Sequence, residues 1–393
     1  LENIMTTEQF AKINDEMLQD LLKDKGVERP VPHQWNYQAT RDAIRHFAEG
    51  AGDLNPLWID AEYARKTRWG GVLAPPLWLL SCSVHHGRMG LPGIHALHAG
   101  IDCRFFLPVR EGDTIQASSG LKGLEEKRSS RFAGRTFLQI GFINFRNQRG
   151  ELVATFDNWV IRFERDASGK REKYHDMKPA TYTKEQLDEI WRALEAQEVR
   201  GATPRFWEDV REGEEMRPLP KGPLVVSDIV GWKMGWGSHN PHHMRANENR
   251  YWTLKRHPQA GVLNTFGVSD NPERVHVGEE LARRIGIPGF YDYGPQRSAW
   301  VSQLVTNWMG DAGWLRRLRT ETRLPNIEGD TQWVHGKVVK KWVEGQDHLA
   351  QLDLWVVSQR GDVTMPCLAE VVLPARSSAT AAKGLPAKAK EIT

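Results

Sequence analysis

The chain repeats itself. Trp58-Ile59-Asp60-Ala61-Glu62-Tyr63-Ala64-Arg65 aligns without a gap on His276-Val277-Gly278-Glu279-Glu280-Leu281-Ala282-Arg283, an offset of 218. Glu62, Ala64 and Arg65 match Glu280, Ala282 and Arg283, and at the same offset Gly71 falls on Gly289. At an offset of 217, "PVREGDT" (Pro108 to Thr114) falls on "PNIEGDT" (Pro325 to Thr331). One match arises easily by chance; an ordered series with one small register change marks a tandem duplication. A chain of 393 residues is in any case too long for one compact core.

The two copies span roughly 31–170 and 203–375. A helix precedes them within 1–30, a helical linker covers 171–202, an insertion interrupts the second copy at 239–268, and 376–393 lacks aromatics and large apolar periodicity and reads as disordered. Residues 6–25 and 183–200 read as amphipathic helices, the second with Leu187, Ile190, Trp191 and Leu194 on one face. Each copy then runs loop, short helix, Gly-rich turn, apolar helix and antiparallel strands. The apolar helices are expected at about Pro75–His85 and Pro295–Trp308. Strand-like runs follow: "RTFLQIGFINFR" and "ELVATFDNWVIRF", then "TQWVHGKVVKKWV" and "LAQLDLWVVSQR". A sheet wrapped around one central helix buries such a helix economically, which makes the class α+β.

Composition excludes several classes. The formal charge of +3 is close to balance and argues against a nucleic-acid partner. No apolar run is long enough to span a membrane, and the polar N-terminus lacks a signal-peptide pattern, so a cytoplasmic location is expected. Three dispersed cysteines give neither a disulfide framework nor a metal motif. Sixteen tryptophans are unusual. They fill a large core, or some line a wide apolar cavity for a bulky ligand.

The stretches "GDLNPLWID…A…GGVLAPP" and "NPERVHVGEELARRIGIPGFYDYG" resemble the two halves of the MaoC-like dehydratase and R-specific enoyl-thioester hydratase family. The resemblance covers both copies. It implies a double hot-dog fold, in which a degenerate half accompanies a catalytic half. It further implies an Asp-x-Asn-Pro-x-His loop that activates water against an α,β-unsaturated thioester. Two side chains of different pKa divide the proton transfers, and a backbone N–H at the start of the central helix holds the enolate oxygen.

In the first copy Asp53, Asn55 and Pro56 fit this pattern, but Trp58 stands where His belongs. Pro76 stands at the position of Gly294 and has no N–H to donate. The first copy is therefore read as the degenerate half, with Trp58 and Asp53 in substrate contact or filling the vacated loop. The second copy keeps His276 and Gly294. Its acidic partner is assigned to Asp270, whose competing reading is a turn residue before Asn271-Pro272. The spacing from Asn271 to His276 is two residues longer than that from Asn55 to Trp58.

A second loop, "GWGSHNPHHMR", carries its own Asn240-Pro241, with His243 at the His position and Ser238 at the Asp position. It is assigned to shaping the cavity, with His239 near the reacting centre. Tyr293, Asn271 and Arg297 complete the expected substrate contacts, Arg297 alternatively pairing with an acid. No metal and no cofactor are expected.

The resemblance makes the chain a hydratase or dehydratase of a 2-enoyl or (R)-3-hydroxyacyl thioester, carried on CoA or an acyl-carrier protein. The rivals are a hot-dog thioesterase and a non-catalytic acyl-binding subunit. Homo-oligomerisation is left open.

Overall fold

The computed structural model describes residues 11–83, 90–91, 93–127, 135–164, 174, 177–237, 251, 255, 262–264, 266–270 and 272–376. His239, Asn271, residues 6–10 of the first expected helix, most of the 239–268 insertion and the tail beyond 376 lie outside them.

The duplication is written into the sheet. Its ten strands are β1 (Arg29–Pro30), β2 (His95–Phe105), β3 (Ile115–Glu126), β4 (Thr136–Asn147), β5 (Leu152–Phe163), β6 (Leu219–Lys221), β9 (Trp314–Glu321), β10 (Gln332–Glu344), β11 (Asp347–Ser358) and β12 (Val363–Leu373). A separate ribbon pairs β7 (Val262–Leu263) with β8 (Ser269–Asp270). The order in the large sheet is β1-β3-β4-β5-β2-β9-β12-β11-β10-β6, a palindrome in which each half mirrors the other. The halves join edge to edge where β2 pairs antiparallel with β9, Cys103 opposite Leu318. That pairing removes an exposed edge from each half. Along β4 and β10 buried and part-exposed residues alternate, so one sheet face carries the core.

The helix Gly294–Met309 crosses the inner face, and all of its residues are buried. It touches β9, β10 and β12 of its own half and β2 of the other. A helix enclosed on every side needs no amphipathic pattern, and this one shows little. Its counterpart in the first half differs from expectation. Instead of an α-helix over Pro75–His85, Pro76–Cys82 forms a 3-10 helix, and 84–89 lie outside the described residues. Pro75 and Pro76 offer no N–H groups, and the Trp78 N–H closes on the Pro75 carbonyl three residues back at 2.8 Å, which sets the tighter winding.

The helices Arg41–Ala51 and Val226–Trp236 pack against each other through glycine. A β-carbon on Gly235 would lie 2.1 Å from the His46 carbonyl oxygen, and one on Gly50 would lie 2.8 Å from that of Gly231. Phe47 meets Trp232 edge to face at 5.4 Å. Each helix ends on a glycine of positive φ, Gly52 and Gly237. This pairing gives the second loop the register in which Ser238 takes the Asp position. Trp58 follows Ala51 by seven positions, but His276 follows Trp236 by forty, so the second copy carries 33 extra residues there. The residue that follows the helix-ending glycine is Asp53 in the first copy and Ser238 in the second.

Candidate functional site

His276 closes a 3-10 turn, Pro272–His276, and its Nδ1 lies 2.7 Å from the Tyr291 carbonyl oxygen. A carbonyl only accepts, so in the neutral ring Nδ1 carries the proton and Nε2 is the basic nitrogen. The imidazole stacks on Tyr293, ring centres 3.7 Å apart, and meets Tyr291 edge-on at 4.7 Å. Trp236 packs on Tyr293 at 5.2 Å and donates its indole N–H to the Leu80 carbonyl of the first half. Tyr293 caps the central helix, and Gly294 is the first helical residue. A first-turn N–H has no carbonyl within its own helix to bond, and the helix dipole favours negative charge there.

The carboxylate of this cluster is Glu273, from the same turn as His276. It accepts the Tyr293 hydroxyl at 3.1 Å and pairs with Lys233 at 2.5 Å, and its side chain is only 6% exposed. Burial pushes the Tyr293 hydroxyl well above its usual pKa, so it stays protonated as the donor to Glu273. Asp270 is placed otherwise: it lies in the β7–β8 ribbon opposite Val262, with Arg274 at 3.9 Å.

Arg297 lies in the interior, its guanidinium Nε 2.9 Å from Asp292 Oδ2 and its NH1 donating to the Leu324 carbonyl. Asn326 donates to the same Asp292 oxygen and accepts from Gln332. Burial pushes the Asp292 carboxyl up to about 6 against the opposing pull of Arg297. This network anchors the strand entering the helix, so the acid-pairing alternative for Arg297 is the one the geometry displays.

Across the join, His98 of β2 presses on the helix start. A β-carbon on Gly294 would lie 2.2 Å from His98 Nδ1, and that nitrogen is 3.4 Å from Thr322 Oγ1. Burial, and secondarily Arg297, lowers its pKa to about 3, which leaves a neutral imidazole at pH 7.

The first-half loop is closed on itself. Trp58 donates its indole N–H to Asp53 Oδ2 at 3.0 Å, and Asp53 Oδ1 accepts the Asn55 N–H at 3.2 Å. Asn55 in turn caps the short helix Pro56–Ile59. Burial raises the Asp53 carboxyl, with the Lys221 ammonium opposing. This loop sits toward the other end of the central helix, where Gln303 donates to the Gly52 carbonyl at 2.9 Å. Trp58 and Pro76 line a cavity there together with Thr306 and Met309.

Glu273 was not read as a site residue from the sequence: only the 3-10 winding of its turn, in which residues three apart eclipse, puts it on the face of His276. Lys233 and His98 carried no sequence signal, because only the fold brings them to this point. Among the described residues no group of three or more His, Cys, Asp or Glu is arranged to hold a metal ion. No described helix is long and apolar enough to cross a membrane.

Residues 25–156 match the family model "FAS1-like, dehydratase domain region". A UPF0336 protein of Streptomyces griseus is 31% identical over 137 residues, which are 33% of this chain and 87% of the relative. A UPF0336 protein of a Parafrankia species is 34% identical over 127 residues, 30% of this chain and 79% of the relative. A solved MaoC-like dehydratase superposes with a TM-score of 0.64 at 17% identity, over 90% of this chain and 100% of that one. A double hot-dog protein of Mycobacterium tuberculosis superposes with a TM-score of 0.52 at 12% identity, over 91% and 98%. The chain belongs to the UPF0336 family through its first half, and the superpositions show that the whole chain has the double hot-dog fold.

Proposed function

We propose that the protein adds water reversibly to a 2-enoyl-CoA with a bulky acyl group, giving an (R)-3-hydroxyacyl-CoA. The carrying observation is the orientation of His276: Nδ1 is committed to the Tyr291 carbonyl, which makes Nε2 the base, beside the start of the central helix. Nε2 takes a proton from water as the oxygen bonds to C3. The C2–C3 electron pair moves onto the thioester oxygen, where the Gly294 N–H holds the enolate. A proton then returns to C2.

Glu273, in preference to Asp270, is the carboxylate of this site, and it acts as a positioning residue through Tyr293. His239 and Asn271 keep their assignment as substrate contacts. Arg297 acts indirectly, by anchoring the helix start. Tryptophan abundance favours an aromatic or polycyclic acyl group over a short chain.

The test is a panel of 2-enoyl-CoA esters of graded acyl size. Loss of the conjugated enoyl absorbance and release of free thiol are followed in parallel, and the 3-hydroxyacyl product is resolved by chirality. Hydration without thiol release, strongest for the larger acyl groups, is the expected result. Thiol release without hydration makes the protein a thioesterase. Binding without either makes it a non-catalytic acyl-binding subunit.

A further inference from the structure

The duplication passes through the join between the halves. Ile101 pairs with Thr320 and Cys103 with Leu318, so an offset of 217 carries each pair onto the other, with Asp102 opposite Arg319 at the centre. The same offset carries the bulge that leaves Ala99 out of the β2–β5 register onto the one that leaves Arg316 out of the β9–β12 register. His98, the residue before the first bulge, therefore stands in the place of Leu315, and Thr322 stands in the place of Phe105. Bulges of this kind re-aim side chains beside active sites.

Three matched positions have diverged together. In the first-half site Pro76, Leu315 and Phe105 share one apolar lining. In the second-half site their counterparts are Gly294, His98 and Thr322: the helix start has an N–H, and two apolar side chains are replaced by polar ones. His98 Nδ1 lies 3.4 Å from Thr322 Oγ1, and it is the first atom that a β-carbon on Gly294 would meet. Packing alone does not call for histidine here, since leucine serves at the matching place. Burial makes the imidazole costly to keep: His98 is 8% exposed, and its pKa is pushed down to about 3. The neutral ring carries one N–H donor at pH 7.

We propose that His98, contributed by the first half, is the second donor of the oxyanion site: its Nδ1–H bonds the thioester oxygen beside the Gly294 N–H. This role rests on the hydration reaction proposed for His276 and Gly294. The imidazole gives up no proton. Its hydrogen bond strengthens as negative charge builds on the oxygen and weakens again when C2 is protonated. A neutral imidazole suits the task, because its N–H polarises the oxygen without transferring a proton to the enolate. The site is then composite, with the base on one half and one oxyanion donor on the other.

The experiment is steady-state hydration of the best ester of the 2-enoyl-CoA panel by the full chain. His98→Leu, which installs the residue of the matching place, is expected to lower kcat about 100-fold, the usual cost of one oxyanion donor. KM changes by less than about threefold, because the lost bond belongs to the transition state. His98→Asn, whose amide N–H reaches the Nδ1 position, recovers most of kcat. His98→Gln, whose amide reaches only the Nε2 position, does not. A folded His98→Leu protein with the wild-type kcat overturns the inference, as does a loss confined to KM, or an Asn variant as slow as the Gln variant. If His98→Leu does not fold, the comparison of His98→Asn with His98→Gln decides. Absence of hydration in the wild type removes the proposed function and this inference with it, whereas hydration that survives His98→Leu removes this inference alone.

Discussion

The imidazole of His98, on β2 of the first half, occupies the space that a β-carbon on Gly294 of the second half would need, with Nδ1 2.2 Å from that position. The first half thus forms one wall of the helix start that holds the proposed oxyanion donor. Glycine is required there by close approach, since its φ is not among the positive ones. Gly294→Ala is expected to destabilise by about 1–3 kcal/mol, the usual range for overpacking, and to abolish hydration. Adding His98→Ala restores most of the melting temperature. A Gly294→Ala protein with unchanged stability would show that the contact relaxes freely.

The same histidine gives a pH signature. Burial holds folded His98 down to about 3, well below the ordinary imidazole value of 6.5. Between those values the unfolded chain binds a proton that the folded chain does not. The stability contribution is therefore complete above about pH 6.5 and is lost as pH falls toward 3. Urea midpoints of wild type and His98→Gln at pH 7.5 and 5 measure it: the fall on acidification is smaller in the variant. Equal falls would mean that His98 is not held neutral.

Two lysine–carboxylate pairs of similar length separate burial from proximity. Lys233–Glu273 is 2.5 Å long with side chains 20% and 6% exposed, whereas Lys184–Asp188 is 2.7 Å long at 81% and 48%. Removing Lys233 strands a carboxylate in the interior. Lys233→Met is expected to cost roughly 3 kcal/mol or more, and Lys184→Met under about 0.5 kcal/mol. Denaturant unfolding of both variants checks the contrast, and similar losses would contradict it.

Trp58→His restores the family's His to the first loop, but it does not restore a donor, because Pro76 still lacks an N–H. In a His276→Ala background, Trp58→His is expected to leave turnover at background. Measurable hydration by that double variant would show that the first half is latent rather than degenerate.

The repeat foretold two like halves, because matched residues 218 apart had to occupy matched places, but not that the halves join edge to edge in one sheet. The alternating runs became β4, β5, β10 and β11. Four inner strands escaped notice: β2 and β9, which form the join, and β3 and β12. In β3, Ser118, Ser119, Gly120 and Gly123 blur the alternation, and β12 contains Pro366. That proline is tolerated because β9 pairs with β12 only from Cys367 onward.

His276 and Gly294 were singled out by loop and helix-start position, and the structure places both at the start of the central helix, His276 stacked on Tyr293. Asp270 and Glu273 could not be ranked, since a turn's winding decides which carboxylate faces the ring. His98 and Lys233 were invisible, because long-range pairing between β2 and β9 and packing of the Val226–Trp236 helix bring them there.

The central claim is that His276 is the base. The direct measurement is hydration of the best 2-enoyl-CoA of the panel by wild type and by His276→Ala, with folding checked by melting temperature. The account predicts a fall in turnover of about 100-fold or more, the lower bound for lost general-base catalysis, in a protein that still folds. Turnover of a folded His276→Ala protein at the wild-type rate would contradict it.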